Sequence, residues 1–370
     1  MRFVHIADLH IGKRLCETSL IPDQEFALDF IARETETRRP DAVLISGDVY
    51  DRSVPGVDAV TLLDRFLMRL MATGAKVFII GGNHDSQERL AFGREMLARE
   101  GLTISAPYSG RLEKYALGDA DIWLMPHIRP REAEIFFEGV RFESVGDAVR
   151  AILAREELNP ARKNILLAHQ FVTARGQTAE RCDSEVDPIG GENGVDAALF
   201  DRFDYVALGH LHAPQQAGRP QVRYAGSPVK YSFSETRHKK SMAWVTVDEN
   251  GVEVELIPLP ALHGMRQLRG NLADLLAAAE PSDDYIRVTL TDEVPPVSPM
   301  ERLGAFYTNI LRLEMEPRGE TEAELTGAAR REPMELFAEF YEMMSGAILT
   351  DEMLEMAKDA YDCVRSEGGA

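Results

Sequence analysis

Five short clusters of aspartate, asparagine and histidine, each directly after a run of aliphatic and β-branched residues, constrain this chain more than any other feature. Asp8-Leu9-His10 follows the run 2–7, and Gly47-Asp48-Val49-Tyr50-Asp51 follows 42–46. Gly82-Asn83-His84-Asp85 follows 76–80. His169-Gln170 follows 164–168, and Gly209-His210-Leu211-His212 follows 205–208. The runs read as strands, as does 121–125; amphipathic stretches at 23–38, 57–72, 87–99 and 143–156 read as helices. That alternation predicts an α/β domain. Loops at the carboxyl ends of its strands gather along one edge, so residues distant in sequence converge there. Asp-x-His and His-x-His spacing sends alternate residues to one side. Gly47, Gly82 and Gly209 are expected to let the backbone turn sharply beside a crowded site.

The donor set points to metal chemistry. Oxygen and imidazole donors without thiolate suit two divalent cations, with manganese, iron or magnesium favoured over structural zinc. Two such ions about 3.5–4 Å apart can hold a hydroxide and clamp both oxygens of a phosphoryl transfer. Each cluster alone is weak, because Asp-x-His can cap a turn and Gly-Asn-His-Asp can simply be one. Chance does not make the ordered series of five.

The remainder of the 370 residues exceeds what one small domain needs. After residue 223 the texture changes to strands and turns, and Asn250-Gly251 between two alternating runs predicts a hairpin. From residue 265 the pattern is strand, helix (271–279), strand (285–290), helix (299–307) and strand (309–314). The expected organisation is a main domain over 1–264, an α+β module over 265–316, a linker over 317–332 and a helical pair over 333–366. In that pair, Leu336, Phe337, Phe340, Tyr341 and Met344 form one apolar stripe, and Leu349, Met353, Leu354, Met356, Ala360 and Tyr361 a broader one. Such stripes pack either on their own domain or on a partner helix.

A net charge of −20 argues at first against a nucleic-acid partner. Its distribution answers that objection, because residues 281–370 carry 20 acidic against 8 basic side chains. The acidity lies away from the predicted chemistry. Cys16, Cys182 and Cys363 show no zinc or disulfide spacing, which fits a reducing cytoplasm. Residues 1–7 read as a first strand rather than a secretory signal, and no run is long and apolar enough for a membrane helix.

The ordered series resembles the calcineurin-like metallophosphoesterase superfamily. Six segments narrow the resemblance to the SbcD nuclease family: FVHIADLHIGK (3–13), ISGDVYD (45–51), IGGNHDS (80–86), LAHQF (167–171), GHLHA (209–213) and YAGSPVKYSFSE (224–235). It is strong up to residue 260 and looser through Met300-Glu301-Arg302-Leu303 to the tail, with Glu335-Leu336-Phe337 and Phe340-Tyr341. It implies two packed β-sheets flanked by helices, a small α+β capping domain and a C-terminal helix-loop-helix that binds a partner. By the same resemblance, one metal takes Asp8, His10, Asp48 and His212, and a second takes Asp48, Asn83, His169 and His210. Asp48 would bridge them. His84, oriented by Asp85, would act on the scissile phosphate or the leaving oxygen. The resemblance further implies Mn²⁺, trimming of duplex DNA from 3′ ends, cutting at hairpins, and an SbcC-type coiled-coil ATPase as partner. A homodimer within a heterotetramer is the assembly it allows.

Some relatives carry histidine where this chain has Asp51, followed by Arg52. Arg52 is therefore either a phosphate contact or a solvated loop residue. Arg237, His238, Lys239 and Lys240 form a basic cluster that either touches a DNA backbone or is a solvated turn. The segment 233–235 reads as a loop supporting the site, and His5, His127, His238 and His263 stand outside any ligand spacing. Two other classes of function compete: a phosphoesterase acting on nucleotides, small phosphodiesters or phosphoproteins, and a non-enzymatic scaffold. All seven ligand positions and His84 are present, which disfavours the scaffold. A compact small-molecule enzyme has no use for a cap and tethered helices.

Overall fold

The computed structural model describes residues 1–174, 176–185 and 194–316, with residues 334, 337, 338, 341, 350 and 353–358. The expected linker and most of the two tail helices lie outside the described residues. Met1–Glu314 forms one compact unit and Met315–Ala370 a second, in which 353–358 are helical.

The first unit is built on strands β1 (Arg2–Ile6), β2 (Ala42–Ser46), β3 (Lys76–Ile80), β4 (Leu102–Ile104), β5 (Glu113–Leu117), β6 (Ala120–Met125), β7 (Lys163–His169) and β8 (Tyr205–Gly209). These are followed by β9 (Gln215–Ala217), β10 (Arg219–Tyr224), β11 (Ser241–Asp248) and β12 (Gly251–Pro258). They make two six-stranded sheets, in the orders β12-β11-β1-β2-β3-β4 and β9-β10-β8-β7-β6-β5. In each, four neighbouring strands run parallel: β1 to β4 in the first sheet, and β10, β8, β7 and β6 in the second. The remaining strands are antiparallel, among them the expected hairpin of β11 and β12 across Asn250-Gly251.

Period-two alternation explains the layering. Phe3, Leu44, Phe78 and Ile80 from one sheet meet Ile122, Leu124, Ile165, Leu167 and Tyr205 from the other. Their neighbours in sequence point outward. Val4, Val43, Ile45 and Ile79 pack on α1 (Ile21–Arg38) and α2 (Val57–Ala72) through Leu28, Ile31, Leu62 and Phe66. Trp123, Leu166 and Val206 pack with Val149 and Ile152 of the helix Val145–Ala154. Strands buried on both faces read as continuous apolar runs, which is why they were legible. Each large side chain so buried contributes about 1.5–3 kcal/mol. His5 shares the layer between the sheets, with Nδ1 3.0 Å from the Tyr205 hydroxyl and Nε2 3.2 Å from the Leu208 carbonyl. Burial pushes its pKa down to about 3, so it is a neutral core residue.

The helix expected over 87–99 is broken into Gln87–Leu90 and Arg94–Glu100, because Gly93 takes a left-handed conformation between them (φ 73°). Beyond β12, β13 (Met265–Gly270), β14 (Ser282–Leu290) and β15 (Tyr307–Met315) form a three-stranded sheet in that order. The helices Leu272–Ala277 and Pro299–Gly304 connect its strands. This sheet is tied to α1 through Asp23, which accepts from the Tyr285 hydroxyl at 2.7 Å and lies 3.0 Å from His263 Nδ1.

Candidate metal centre

The strands β1, β2, β3, β7 and β8 deliver the five clusters to one edge, where the two sheets meet. Backbone bonds lace the first two loops together, among them Asp8 N–H to Gly47 O at 3.1 Å, His10 N–H to Asp48 O at 2.9 Å and Ile11 N–H to Val49 O at 3.0 Å. Four of the candidate ligands have left-handed or otherwise positive φ: Asp8 (53°), His10 (40°), Asp48 (46°) and His210 (110°). Such backbone costs about 1–3 kcal/mol per residue and is held only where the surroundings over-determine it.

Two of the three motif glycines act differently from the sequence expectation. Only Gly47 has positive φ (87°). A Cβ on Gly82 would lie 2.1 Å from Asp48 Oδ1, and one on Gly209 would lie 1.9 Å from Ser46 O. These two are required for the space a side chain would fill, not for a turn.

Asp48 is the meeting point. Its Oδ2 lies 3.6 Å from His10 Nε2 and 3.3 Å from His169 Nε2, and its Oδ1 accepts the His84 N–H at 2.9 Å. On one side, His10 Nε2 and His212 Nε2 face each other at 3.1 Å. On the other, Asn83 Oδ1 is 3.0 Å from both His169 Nε2 and His210 Nδ1. Asp8 accepts the His210 N–H at 2.8 Å, and its second oxygen is buried with no hydrogen-bond partner among the described residues. The seven residues expected to ligate are therefore brought together around Asp48, with His10 and His212 on one side and Asn83, His169 and His210 on the other, and with Asp8 against His169 and His210.

Charge in this pocket is unbalanced. Burial pushes the Asp8 carboxyl well above its ordinary range, with Asp48 adding to the effect. Burial would also raise Asp48, but the neighbouring His169 and His10 hold it well below that range. Burial would lower His169, yet Asp48 holds it up at about 9, whereas burial takes His210 down to about 3. An orphaned carboxylate oxygen and imidazole nitrogens facing one another are what bound cations would relieve, so the residues present fit divalent metal.

Two sequence expectations are corrected. Asp85 does not orient His84. Its carboxylate takes the N–H groups of Gly82, Val49 and Tyr50 at 2.9–3.0 Å, stapling the second and third loops. His84 is oriented by the main chain, with Nδ1 2.9 Å from the Asp51 carbonyl. The basic cluster is not a surface patch either. His238 and Lys240 turn inward and are 8% exposed, leaving only Arg237 and Lys239 outside. Arg52 is solvent-exposed, and its ion-pair partner among the described residues is Asp51, at 3.8 Å. His127, set apart by spacing, has its ring 6.3 Å from that of His169. It arrives on the loop after β6, and no spacing in the sequence signals that.

Residues 1–214 match the family described as calcineurin-like phosphoesterase, and residues 261–345 match the type 5 capsule protein repressor C-terminal domain. The chain is 31% identical over 320 residues to the SbcD subunit of the SbcCD nuclease of Staphylococcus saprophyticus, covering 85% of this chain and 84% of that protein. The chain belongs to the SbcD family of calcineurin-like phosphoesterases. As an SbcD protein it is a metal-dependent phosphodiester hydrolase and a nuclease subunit. Solved structures resemble it remotely. A dimetal phosphatase from Danio rerio is 12% identical with a TM-score of 0.41, covering 70% of this chain and 99% of that one. The phosphopantetheinyl hydrolase of Mycobacterium tuberculosis is 18% identical with a TM-score of 0.37, covering 68% and 95%. No helix among the described residues is long and apolar enough to cross a membrane.

Proposed function

We propose that this SbcD chain hydrolyses phosphodiester bonds at the ends of duplex DNA, from 3′ termini, and at hairpins, using two divalent cations, most naturally Mn²⁺. One observation carries the reading: two groups of oxygen and imidazole donors share a single buried carboxylate, Asp48. Asp8, His10, Asp48 and His212 would hold one ion, and Asp48, Asn83, His169 and His210 the other. When bound, such a pair supplies Lewis acidity at the phosphoryl centre and activates water.

The chain's own residues do the rest. The Asp51 carbonyl can only accept, so His84 Nδ1 carries a proton and donates it there. That leaves Nε2 for the substrate. In the imidazolium form Nε2–H can protonate the leaving oxygen, and the ring remains as the Nδ1–H tautomer afterwards. Asp85 keeps the Asn83–His84 loop against Asp48, so acid and ligands keep one geometry. The name of the SbcCD relative implies an SbcC partner subunit, and an SbcC-type ATPase would add DNA-binding surface to this acidic chain.

The test gives end-labelled duplex, a DNA hairpin and a small phosphomonoester to the purified chain with Mn²⁺, with EDTA, and as His84→Ala. DNA cleavage that needs metal and is lost in the variant is the expected result. Turnover of the monoester with the DNA left intact would overturn the proposal in favour of a phosphatase.

A further inference from the structure

Lys240 is a buried lysine whose role the candidate centre does not explain. Its ammonium donates to Glu235 Oε2 at 2.6 Å, Ser227 Oγ at 2.7 Å and the His212 carbonyl at 2.9 Å. An ammonium has three protons, so every one is used. Glu235 is 0% exposed. It is buried against the Lys240 ammonium at 2.6 Å, a pairing that holds it as the carboxylate.

An ionised carboxylate can only accept, and this fixes the direction of each bond leading away from it. Glu235 Oε1 receives the Tyr231 N–H at 3.1 Å and the Ser184 hydroxyl at 2.6 Å. A serine hydroxyl has one proton. Once that proton is given to Glu235, Ser184 Oγ can only accept from its other neighbours, Cys182 Sγ at 3.1 Å and His212 Nδ1 at 2.8 Å. His212 must then carry its proton on Nδ1. Its lone pair is left on Nε2, the atom facing His10 Nε2 at 3.1 Å. Glu185 secures the same residue from behind, accepting the His212 N–H at 2.7 Å.

We infer that Ser184 is a positioning residue: with Glu235 and Lys240 behind it, its hydroxyl locks His212 in the Nδ1–H tautomer and presents Nε2 to the metal centre. The inference rests on the two-metal reading above. It also excludes a rival use of the same atoms. Cys182, His212 and Glu235 lie close enough together to ligate a cation of their own. Ser184 Oγ already sits 3.1 Å from Cys182 Sγ, 2.8 Å from His212 Nδ1 and 2.6 Å from Glu235 Oε1, and Lys240 already neutralises the carboxylate. That space is a hydrogen-bonded support, not a third metal site.

The experiment has two readouts. Metal-free protein with ¹⁵N-labelled histidine reports which nitrogen of His212 is protonated, the signal being assigned by its loss in His212→Asn. Mn²⁺ titration followed by the electron paramagnetic resonance of the free ion reports affinity. Wild type should show Nδ1–H. Ser184→Ala should mix in the Nε2–H form and weaken one of two Mn²⁺ sites on the order of 10–100-fold, as loss of a support behind a ligand does. Ser184→Thr, which keeps the hydroxyl, should restore both. Ser184→Ala with unchanged tautomer and affinity would overturn the inference, and so would Ser184→Thr behaving like Ser184→Ala. A tautomer change in a protein that binds no Mn²⁺ at all would leave the support standing and reject the two-metal reading instead.

Discussion

Asp48 and His84 lie next to each other, joined by a hydrogen bond from the His84 N–H to the Asp48 carboxylate, yet their removal should have opposite signatures. Asp48 is the only candidate ligand common to both donor groups, so Asp48→Ala should abolish Mn²⁺ binding at both sites together with DNA cleavage. Metal content by atomic emission checks this, and a variant that keeps one tight ion would refute the shared role. The His84 backbone N–H donates to Asp48, and its ring, held at Nδ1 by the Asp51 carbonyl, stands 4.7 Å from the His10 ring with no hydrogen bond to a candidate ligand among the described residues. His84→Ala should therefore keep near-normal metal content and lose roughly 10²–10⁴-fold in rate, the usual worth of a positioned acid. Loss of metal in that variant would make the ring a ligand.

Among the elements, the strands were legible and the joints were not. Strands β2 and β3 run over the ranges read from sequence, because residues buried on both faces leave an unmistakable apolar run. Strands β4 and β5 were missed: one is only three residues long, and the other alternates half-buried with exposed side chains. The glycine at the end of β8 shows what pattern reading cannot supply. Gly209 looked like a turn residue, but its Cα lies against the backbone of β2, close to Ser46 O. Gly209→Ala should push the two sheets apart at the site and destabilise the fold by about 1–3 kcal/mol or more. A melting temperature equal to that of wild type would show that the close approach is easily relaxed.

For the whole molecule, the centre joins two sheets, so cations bound there should stabilise the fold as well as enable chemistry. Saturating Mn²⁺ at about 100 times its dissociation constant should add about 2.7 kcal/mol per site. The melting temperature of wild type should rise accordingly, and that of Asp48→Ala should not move. Equal shifts in both would place the stabilising ion elsewhere. The net charge of −20 gains meaning in the same frame, because two of the four residues in the one basic cluster singled out are buried. DNA affinity of the free chain is then left to the metal centre and to exposed arginines outside that cluster.

The order and spacing of the five clusters were enough to reach the α/β fold, the family and the convergence of Asp8, His10, Asp48, Asn83, His169, His210 and His212. Strand periodicity and loop placement are local properties, and both are written in consecutive residues. The true orienting partner of His84, the stapling duty of Asp85, the inward turn of Lys240 and the Ser184 hydroxyl behind His212 were not legible. Each depends on side chains or carbonyls from separate segments reaching hydrogen-bond distance, and no periodicity in a chain records which distant donor meets which acceptor. Tertiary structure decided those, because a buried polar group must find its partner wherever packing places one.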